Sequence, residues 1–198
     1  GIGRAVCAAL GAAGCRVVAV DLPGADLDGV GDARHAFDVR CWLDWQRLAE
    51  AEPEAAILVN NAGLTVHAAL EDMTVEDIDR VLDTNLKGLT YGCRAFLPAL
   101  RSQDEGHIVN LSSLAALVGI PSQSTYCASK WGVRGLSASL RLELSGSGVG
   151  VTAVLPGTTA TGFLEGATSR GQATTGTLAR LMRSHGTPPA LVAKRIVR

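Results

Sequence analysis

The chain has 198 residues, of which 47% are hydrophobic and 19% are charged, and its formal net charge is −1. This composition is typical of a globular domain that buries a sizeable core. The near-neutral charge, with no basic block, argues against nucleic acid as a partner. Apolar runs stay below the roughly 18 residues that a membrane-spanning helix needs, so we expect no membrane partner.

Apolar segments of two kinds alternate along the chain, short β-branched runs and longer amphipathic stretches. In chain order they predict a helix at 1–13, a strand at 15–20, a brief strand ending at 37–38, a helix at 42–50, a strand at 56–59, a helix at 74–100, a strand at 107–111, a helix at 123–144, a strand at 149–155 and a last helix after Pro188-Pro189. This alternation predicts an α/β fold with a parallel sheet covered on both faces, in a single domain over 1–198. Residues 158–187, rich in Gly, Ser and Thr, are predicted to form a mobile substrate flap.

Neither the cysteines nor the histidines indicate a disulfide framework or a metal site. The five cysteines are odd in number and form no Cys-x-x-Cys pair, and the four histidines lack the spacing of metal ligands. We therefore predict reduced thiols, no bound metal and a cytoplasmic protein.

A polar or glycine-containing cluster follows each predicted strand. The clusters are Asp21, Asp38, Asn60-Asn61, Ser112-Ser113 and Pro156-Gly157. In a parallel sheet the carboxyl ends of the strands meet at one edge, and ligands bind beyond that edge. The shared placement predicts a functional site there.

Tyr126 and Lys130 are four residues apart in a predicted helix, so both side chains can enter one cleft. A phenol has a pKa of about 10 and is a poor acid or base at neutral pH. A cation about 4 Å away contributes roughly 4 kcal/mol at an effective dielectric of about 20, which could lower that pKa by roughly 3 units. With the Ser113 hydroxyl holding a carbonyl or alcohol oxygen, this is a site for carbonyl–alcohol redox chemistry. Taken alone, this spacing more often reflects a tyrosine and a solvated lysine on one helix face, and it is the accompanying motifs that favour a site.

The chain begins with Gly1-Ile2-Gly3 at the head of a predicted helix, which is typical of the end of a dinucleotide-binding motif. Asp21 follows Gly3 by 18 residues, close to the offset of the carboxylate that binds the adenosine ribose. It would repel a 2′-phosphate, which favours NAD over NADP. A strand-end aspartate that starts a turn is the alternative.

The motifs as a set resemble the short-chain dehydrogenase/reductase family. They are Gly-Ile-Gly, Asn-Asn-Ala-Gly, Asn-Leu-Lys-Gly, Ile-Val-Asn-Leu-Ser-Ser, Tyr-x-x-x-Lys and Pro-Gly-x-x-x-Thr, in the order of that family and spanning Gly1 to about Thr161. Ser113 precedes Tyr126 by thirteen residues, as in the family. Thr159 stands where the family usually has Val or Ile.

The resemblance implies a Rossmann-type, doubly wound parallel sheet and NAD(P)-dependent oxidation of alcohols or reduction of carbonyls. It implies that Tyr126 is the general acid/base, that Ser113 orients the substrate and that Lys130 lowers the pKa of Tyr126 and binds the nicotinamide ribose. Asn85 would position a proton-relay water. The predicted cofactor-binding residues are Gly1, Ile2, Gly3, Asp21, Leu22, Asp38, Val39, Asn60, Ala62, Gly63, Tyr126, Lys130, Pro156, Gly157, Thr159 and Thr161.

The chain departs from the family pattern at its ends and near Asp38. The glycine motif lacks its first glycine and the preceding strand, and the last strand of the family is also missing, so we expect a piece of a longer polypeptide. The segments on either side of Asp38 are shorter than usual, which predicts trimmed helices near the adenine pocket. Without the first strand, its neighbours in the sheet would lose a hydrogen-bonding partner, and cofactor binding would be weak.

The predicted function is hydride transfer between NAD(H) and a secondary alcohol or ketone. A non-catalytic or truncated dinucleotide-binding module and an NADP-dependent carbonyl reductase of the same family are the alternatives. Leu114, Ala115, Val118 and residues 162–187 are predicted to line the substrate pocket and mildly favour an apolar substrate.

The resemblance suggests a homodimer or homotetramer formed by the helices that hold Asn85 and Tyr126. Gly132 and Gly135 would permit close helix contact at that interface. Packing of both glycines within the chain is the equal alternative.

Overall fold

Parallel strands alternate with helices in the computed structural model, which describes residues 1–103, 105–164, 166–171 and 184–197. The strands are β1 (Val18–Asp21), β2 (Ala33–Ala36), β3 (Ile57–Asn60), β4 (Val66–His67), β5 (Gly106–Leu111), β6 (Val149–Val154) and β7 (Thr168–Ser169). The helices are α1 (Ile2–Ala12), α2 (Trp42–Ala51), α3 (Val75–Leu82), α4 (Leu89–Ser102), α5 (Ser124–Glu143) and α6 (Pro189–Ile196). Short 3₁₀ turns lie at Leu70–Asp72 and Leu114–Ala116.

Within the described residues the strands form three separate parallel sheets. β3, β5 and β6 pair in that spatial order, β1 pairs with β2, and the two-residue strands β4 and β7 pair with each other. Among the described residues no strand pairs with the remaining edges of β1 and β3, and both strands line one cavity. The predicted parallel α/β arrangement is confirmed, and the sheet is divided between β1 and β3, where the resemblance places a further strand.

The core lies between the β3-β5-β6 sheet and the helices α2, α4 and α5. Trp45 is at its centre, with its ring edge-on to Phe37 at 5.3 Å and to Phe96 at 6.2 Å between centroids. Burying an aromatic side chain of this kind contributes roughly 1.5–3 kcal/mol. The indole also donates a hydrogen bond to the Val39 carbonyl at 2.8 Å, which fixes the chain just after β2.

The predicted helix at 74–100 is divided into α3 and α4 by a π-helical segment, Asp83–Gly88. A capping box begins α3, because Thr74 accepts from the Asp77 backbone and Asp77 accepts from the Thr74 backbone. The wider π turn carries Asn85 into the interior, and π segments are frequent at functional sites. A Cβ at Gly88 would lie 2.8 Å from the Val39 carbonyl oxygen, so this approach requires glycine.

Of the two ranges on either side of β2, the one before it contains no helix, whereas α2 follows it at Trp42–Ala51. Residues 22–32 are turns and bends between β1 and β2, as the short spacing predicts. The pair β4–β7 was not predicted, because two-residue strands are too short to carry a periodic pattern. None of the helices in the described ranges combines the length and hydropathy needed to cross a bilayer.

Part of the predicted flap at 158–187 is described. Thr159 forms a parallel bridge with Thr187, and β7 joins the flap to β4. Residues 165 and 172–183 of the flap lie outside the described residues.

Candidate active site

The first turns of α5 and the end of β5 bring together the three side chains that the sequence predicts to be catalytic. Tyr126 and Lys130 lie one turn apart on α5, and the Lys130 Nζ atom is 5.8 Å from the centroid of the Tyr126 ring. Nζ donates to the Leu111 carbonyl at 2.8 Å, which holds the ammonium against the end of β5. Ser113 has an extended backbone, with φ −164° and ψ 162°, and its Oγ accepts from the Ala115 backbone at 3.2 Å. Backbone contacts therefore fix two of the three groups.

Burial dominates the acid–base properties of these groups. Loss of hydration raises the pKa of Tyr126, a hydrogen bond with the Ser113 side chain acts in the opposite direction, and the Cys127 thiolate would raise that pKa further. Burial also lowers the pKa of Lys130 to about 8. The largest cause of the raised pKa of Tyr126 is burial, and Lys130, whose ammonium donates to the Leu111 carbonyl, is not among its causes. That Lys130 lowers the pKa of Tyr126 therefore stays a prediction.

Asn85 is completely buried and its amide is fully used. Its Oδ1 accepts from the Leu64 backbone N–H at 2.8 Å, and its Nδ2 donates to the Leu64 carbonyl at 2.8 Å and to Ser129 Oγ at 3.0 Å. Ser129 in turn donates to the Tyr126 carbonyl at 2.7 Å. Asn85 thus ties the loop after β3 to the first turn of α5. Since both amide hydrogens have partners, a relay water would need another donor.

Gly63 lies where the loop after β3 passes the catalytic groups. A Cβ there would be 3.3 Å from Asn85 Oδ1 and 3.4 Å from Lys130 Nζ. Both groups therefore approach the same point of the backbone. A side chain at this position would crowd the lysine.

The head of α1 faces the flap. A Cβ at Gly3 would lie 2.6 Å from Asn61 Nδ2, so a side chain at this position would require the exposed Asn61 amide to move. A Cβ at Gly1 would meet only Thr161, at 3.9 Å. The N-cap Gly1 has no side-chain cap, and the first turn has no acidic residue. The space beside Gly1 and the free N–H groups of the helix suit an anionic pyrophosphate.

All residues predicted to bind the cofactor line one cavity of about 1600 Å³. They are Gly1, Ile2, Gly3, Asp21, Leu22, Asp38, Val39, Asn60, Ala62, Gly63, Tyr126, Lys130, Pro156, Gly157, Thr159 and Thr161. The cavity also extends into the gap between β1 and β3, so its volume exceeds that of the predicted site. Ser113 lines it as well, and Asn85 stands behind it.

Two polar groups predicted at the adenine end have partners within the chain. The Asp38 carboxylate accepts three side-chain hydrogen bonds from Arg40, at 2.5–3.0 Å, and these bonds hold the pKa of Asp38 below its usual range. The Val39 carbonyl accepts from Trp45. The Asp21 carboxylate instead accepts only from the Leu22 backbone, at 2.8 Å, among the contacts within the described residues.

The side chain of Asn60 points into the core. Its Nδ2 donates to Asn110 Oδ1 at 2.9 Å and to Cys93 Sγ at 3.3 Å, and Asn110 donates to Ser137 Oγ at 3.0 Å. The prediction that Asn60 lies along the cofactor is thus limited to its backbone. Buried amides need partners, and this chain of bonds joins β3, β5, α4 and α5.

The loop after β6 closes the other side of the cleft. The Pro156 carbonyl accepts from the Leu114 backbone at 2.9 Å, and Thr159 Oγ1 donates to the Gly157 carbonyl at 3.1 Å. Thr159 is buried and bridges to Thr187. The Thr159 hydroxyl thus bonds within its own turn. The turn forms with Thr at this position, where the family usually has Val or Ile.

Three further residues lie beside the site, and of these only Gln123 was missed by the sequence analysis. Phe163 places its ring 5.8 Å from that of Tyr126, tilted by 52°. Gln123 is buried, lines the cavity and contacts His67 Nδ1 through Nε2 at 3.4 Å. Asn61 packs against Gly3 and belongs to the predicted Asn60-Asn61 cluster. Phe163 lies in the range predicted to line the substrate pocket, whereas Gln123 carried no signal in the sequence.

The site offers no metal centre within the described residues, where no group of three or more His, Cys, Asp or Glu side chains could hold an ion. All five cysteines are free thiols.

Comparison with known proteins places these features in a family. Residues 1–171 match the model of the short chain dehydrogenases. A 3-ketodihydrosphingosine reductase from Bacteroides thetaiotaomicron is 40% identical over 136 residues, which are 69% of this chain and 50% of the relative. A short chain dehydrogenase/reductase from Burkholderia phymatum, solved in complex with NAD, is 28% identical with a TM-score of 0.88, over 98% of this chain and 79% of that one. A metagenomic short-chain oxidoreductase in complex with NADP is 33% identical with a TM-score of 0.73, over 79% of this chain and 78% of that one.

The chain spans about half the length of the first curated relatives that it matches. The family match nevertheless covers the glycine motif, the Ser113–Tyr126–Lys130 group and the loop after β6. On these grounds the chain belongs to the short-chain dehydrogenase family.

Proposed function

We propose that this protein is an oxidoreductase that transfers a hydride between NAD(H) and a secondary alcohol or ketone. The observation that carries the proposal is the convergence of Ser113, Tyr126 and Lys130 on a cleft that is continuous with a glycine-lined cavity. The two solved relatives named above hold NAD and NADP, which supports a nicotinamide dinucleotide here.

The residues present fit such a cofactor. Gly1 and Gly157 leave open space where a Cβ would stand, apart from Thr161 at 3.9 Å. The uncapped head of α1 suits the pyrophosphate, and Lys130 at the inner end of the cleft can donate to ribose hydroxyls. When bound, the nicotinamide ring supplies or accepts the hydride.

The proton is handled by Tyr126. In reduction its phenol donates a proton to the carbonyl oxygen of the substrate, and in oxidation its phenolate takes the proton of the hydroxyl. Because burial raises the pKa of Tyr126, the protonated form that reduction needs is the one favoured by the chain itself. Ser113 holds the reacting oxygen and the phenol in one place, which is orientation together with charge stabilisation.

The preference for NAD rests on Asp21. Its carboxylate lies at the carboxyl end of β1, lines the cavity and can accept hydrogen bonds from ribose hydroxyls. The same charge repels a 2′-phosphate. Asp21→Ala should therefore weaken NAD⁺ binding and strengthen NADP⁺ binding.

An apolar substrate suits the outer wall of the cleft. Leu114 and Val118 are about half exposed, and together with Ile120, Phe163 and Leu164 they line the cavity next to Tyr126. The keto substrate in the name of the Bacteroides relative is of the same broad kind. We propose that a substituent of the ketone packs against this wall.

The test is a titration with NADH followed by a screen of secondary alcohols and ketones, monitored by the absorbance of reduced nicotinamide. Tyr126→Phe should abolish turnover and spare NADH binding, whereas Tyr91→Phe, at a half-buried tyrosine of α4 that does not line the cavity, should leave both unchanged. NADH binding without turnover of any substrate would favour the non-catalytic module. Turnover by Tyr126→Phe at the native rate would refute the assignment of the acid/base.

We also propose a cytoplasmic homodimer or homotetramer built through α4 and α5. Trp131 and Leu142 are 50% and 79% exposed on one face of α5, and a Cβ at Gly135 on the same face would meet nothing within 4 Å. Gly132 instead packs within the chain, 2.8 Å from Leu86 Cδ2 as measured from its Cβ position. Light scattering of the native protein and of Trp131→Glu tests this: the variant should be monomeric.

A further inference from the structure

One arginine crosses from the glycine motif to the loop that begins at Asp21. Arg4 follows Gly3 in the first turn of α1, and its Nη2 donates to the Asp26 carbonyl at 2.7 Å and to Asp26 Oδ2 at 3.1 Å. Its Nη1 donates to the Asp28 carbonyl at 3.2 Å. The guanidinium is therefore fixed by three contacts in the loop between β1 and β2.

These groups belong to the adenosine end of the cavity. Arg4, Asp21 and Asp26 all line it, and the loop leaves β1 at the carboxylate proposed to bind ribose hydroxyls. Arg4 is thus the cation that connects the proposed pyrophosphate and ribose positions.

An NADP 2′-phosphate needs a cation at this end. Arginine is the usual choice, because its planar guanidinium bonds two phosphate oxygens at once. Two arginines line the cavity near the carboxyl ends of β1 and β2, and each is paired with a carboxylate: Arg40 with Asp38 at 2.5 Å and Arg4 with Asp26 at 3.1 Å. The Arg40 pair is a closed contact between neighbours in sequence, whereas Arg4 is neutralised only by a residue of a distant loop.

We infer that Asp26 is a specificity-determining residue, which pairs with Arg4 and so removes the cation that a 2′-phosphate would otherwise bind. The inference rests on the proposed function and extends it from the ribose contact of Asp21 to the charge balance of the whole adenosine end. Asp21 repels the 2′-phosphate directly, whereas Asp26 pairs with Arg4, the cation that this phosphate would otherwise bind. NAD has no 2′-phosphate, so neither the charge of Asp21 nor the pairing of Arg4 with Asp26 disfavours its binding.

The test is the ratio of the dissociation constants for NADPH and NADH, measured by fluorescence titration, in Asp26→Ser and in the matched control Asp28→Ser. Serine removes one negative charge at either position and keeps an oxygen for the local turn, in which Asp26 Oδ1 accepts from the Asp28 backbone at 3.0 Å. Asp28 contacts Arg4 through its backbone carbonyl, which the control retains. Asp26→Ser should lower the ratio roughly three- to fivefold, at the upper end of the range for exposed ion pairs, and Asp28→Ser less than about twofold.

A double variant isolates the arginine. Adding Arg4→Gln to Asp26→Ser should return the ratio to within about twofold of the native value, and high salt should reduce the effect of Asp26→Ser. Equal effects of the two serine substitutions, or no change in the ratio while NADH still binds, would overturn the role of Asp26 and leave the proposed function standing. Failure of native protein and variants to bind either dinucleotide would overturn both.

Discussion

Asn85 forms a two-point hydrogen bond with the backbone of Leu64, accepting from its N–H and donating to its carbonyl, each at 2.8 Å. The two bonds have the donor–acceptor arrangement of a hydrogen-bonded residue pair between β-strands, and they lie just beyond the end of β3. They hold the loop that carries Gly63 against Lys130, so the position of the lysine depends on a side chain that is completely buried behind it.

Asn85→Ala should destabilise the fold. It leaves the Leu64 N–H and carbonyl without partners and opens a small cavity, which together should cost roughly 2–4 kcal/mol of unfolding free energy. Urea unfolding followed by circular dichroism measures the loss. Asn61→Ala, at an exposed asparagine of the same loop, should change the unfolding free energy by no more than about 0.5 kcal/mol. Equal urea midpoints for Asn85→Ala and native protein would show that the Leu64 pair contributes little.

Lys130→Met should change stability in a pH-dependent way. The pKa of Lys130 in the folded chain is about 8, below the value of about 10.4 for an unfolded lysine, so the unfolded chain binds more protons between these values. The native protein therefore gains stability as pH rises from about 8 to about 10, and below pH 8 it carries the full cost of a buried ammonium. Methionine removes that dependence.

Relative to native protein, Lys130→Met should accordingly be most favourable below pH 8, and its advantage should shrink by roughly 3 kcal/mol towards pH 10. Part of the gain is offset by the unpaired Leu111 carbonyl. Urea unfolding at pH 7 and pH 9.5 gives the difference, with Lys194→Met, at an exposed position of α6, as the matched control. If the difference in unfolding free energy between Lys130→Met and native protein were the same at both pH values, the lowered pKa of Lys130 would be contradicted.

The order of strands and helices was predictable because buried strands and amphipathic helices differ in the spacing of their apolar residues and in the length of their apolar segments. The polar clusters at strand ends placed Ser113, Tyr126 and Lys130 at one edge for the same reason. The direction of the Tyr126 pKa was not predictable, since sequence spacing gives the distance of a charge but not the loss of hydration on burial, which is the largest cause of the raised pKa.

The direction in which a side chain points was the second feature that could not be predicted from the sequence. Asn60 ends β3 as predicted, but its amide turns towards Asn110 because a buried amide takes the nearest polar partner, and that partner lies 50 residues away in sequence. Arg4 and Asp26 are likewise joined only by the fold.

Phe163→Ala should weaken the binding of apolar ketones. The Phe163 ring lies 5.8 Å from the Tyr126 ring and lines the proposed substrate wall, so its loss removes apolar contact area beside the reacting carbonyl. KM for a ketone with a bulky apolar substituent should rise roughly tenfold, at about 1.4 kcal/mol, with a smaller change in kcat. The smallest ketone that the enzyme reduces serves as control, because it has no group to reach the ring. An equal rise in KM for small and bulky ketones would mean that Phe163 orients Tyr126 and does not contact substrate.

Arg170→Gln should loosen the flap. Arg170 follows β7 and its guanidinium makes two hydrogen bonds with the Asp77 carboxylate, whose side chain is only 5% exposed at the start of α3. These bonds are the main cause that lowers the pKa of Asp77. Gln cannot supply the charge, so the buried carboxylate loses its strongest partner and the β4–β7 pairing loses its anchor. Limited proteolysis between residues 158 and 187 should accelerate several-fold, as expected when local opening becomes easier.

The pH dependence of the proteolysis rate distinguishes the loss of the Arg170–Asp77 ion pair from the loss of packing by the arginine side chain. A carboxylate with a lowered pKa in the folded chain contributes stability above its unfolded pKa of about 3.9 and loses it as pH falls through the folded value. The difference in proteolysis between native protein and Arg170→Gln should therefore be full near pH 7 and shrink as the medium becomes acidic, with an acid-active protease used below pH 4. Arg101→Gln, on the exposed end of α4, should match native protein throughout. A difference that persists unchanged in acid would assign the effect to the arginine stem and not to its pair with Asp77.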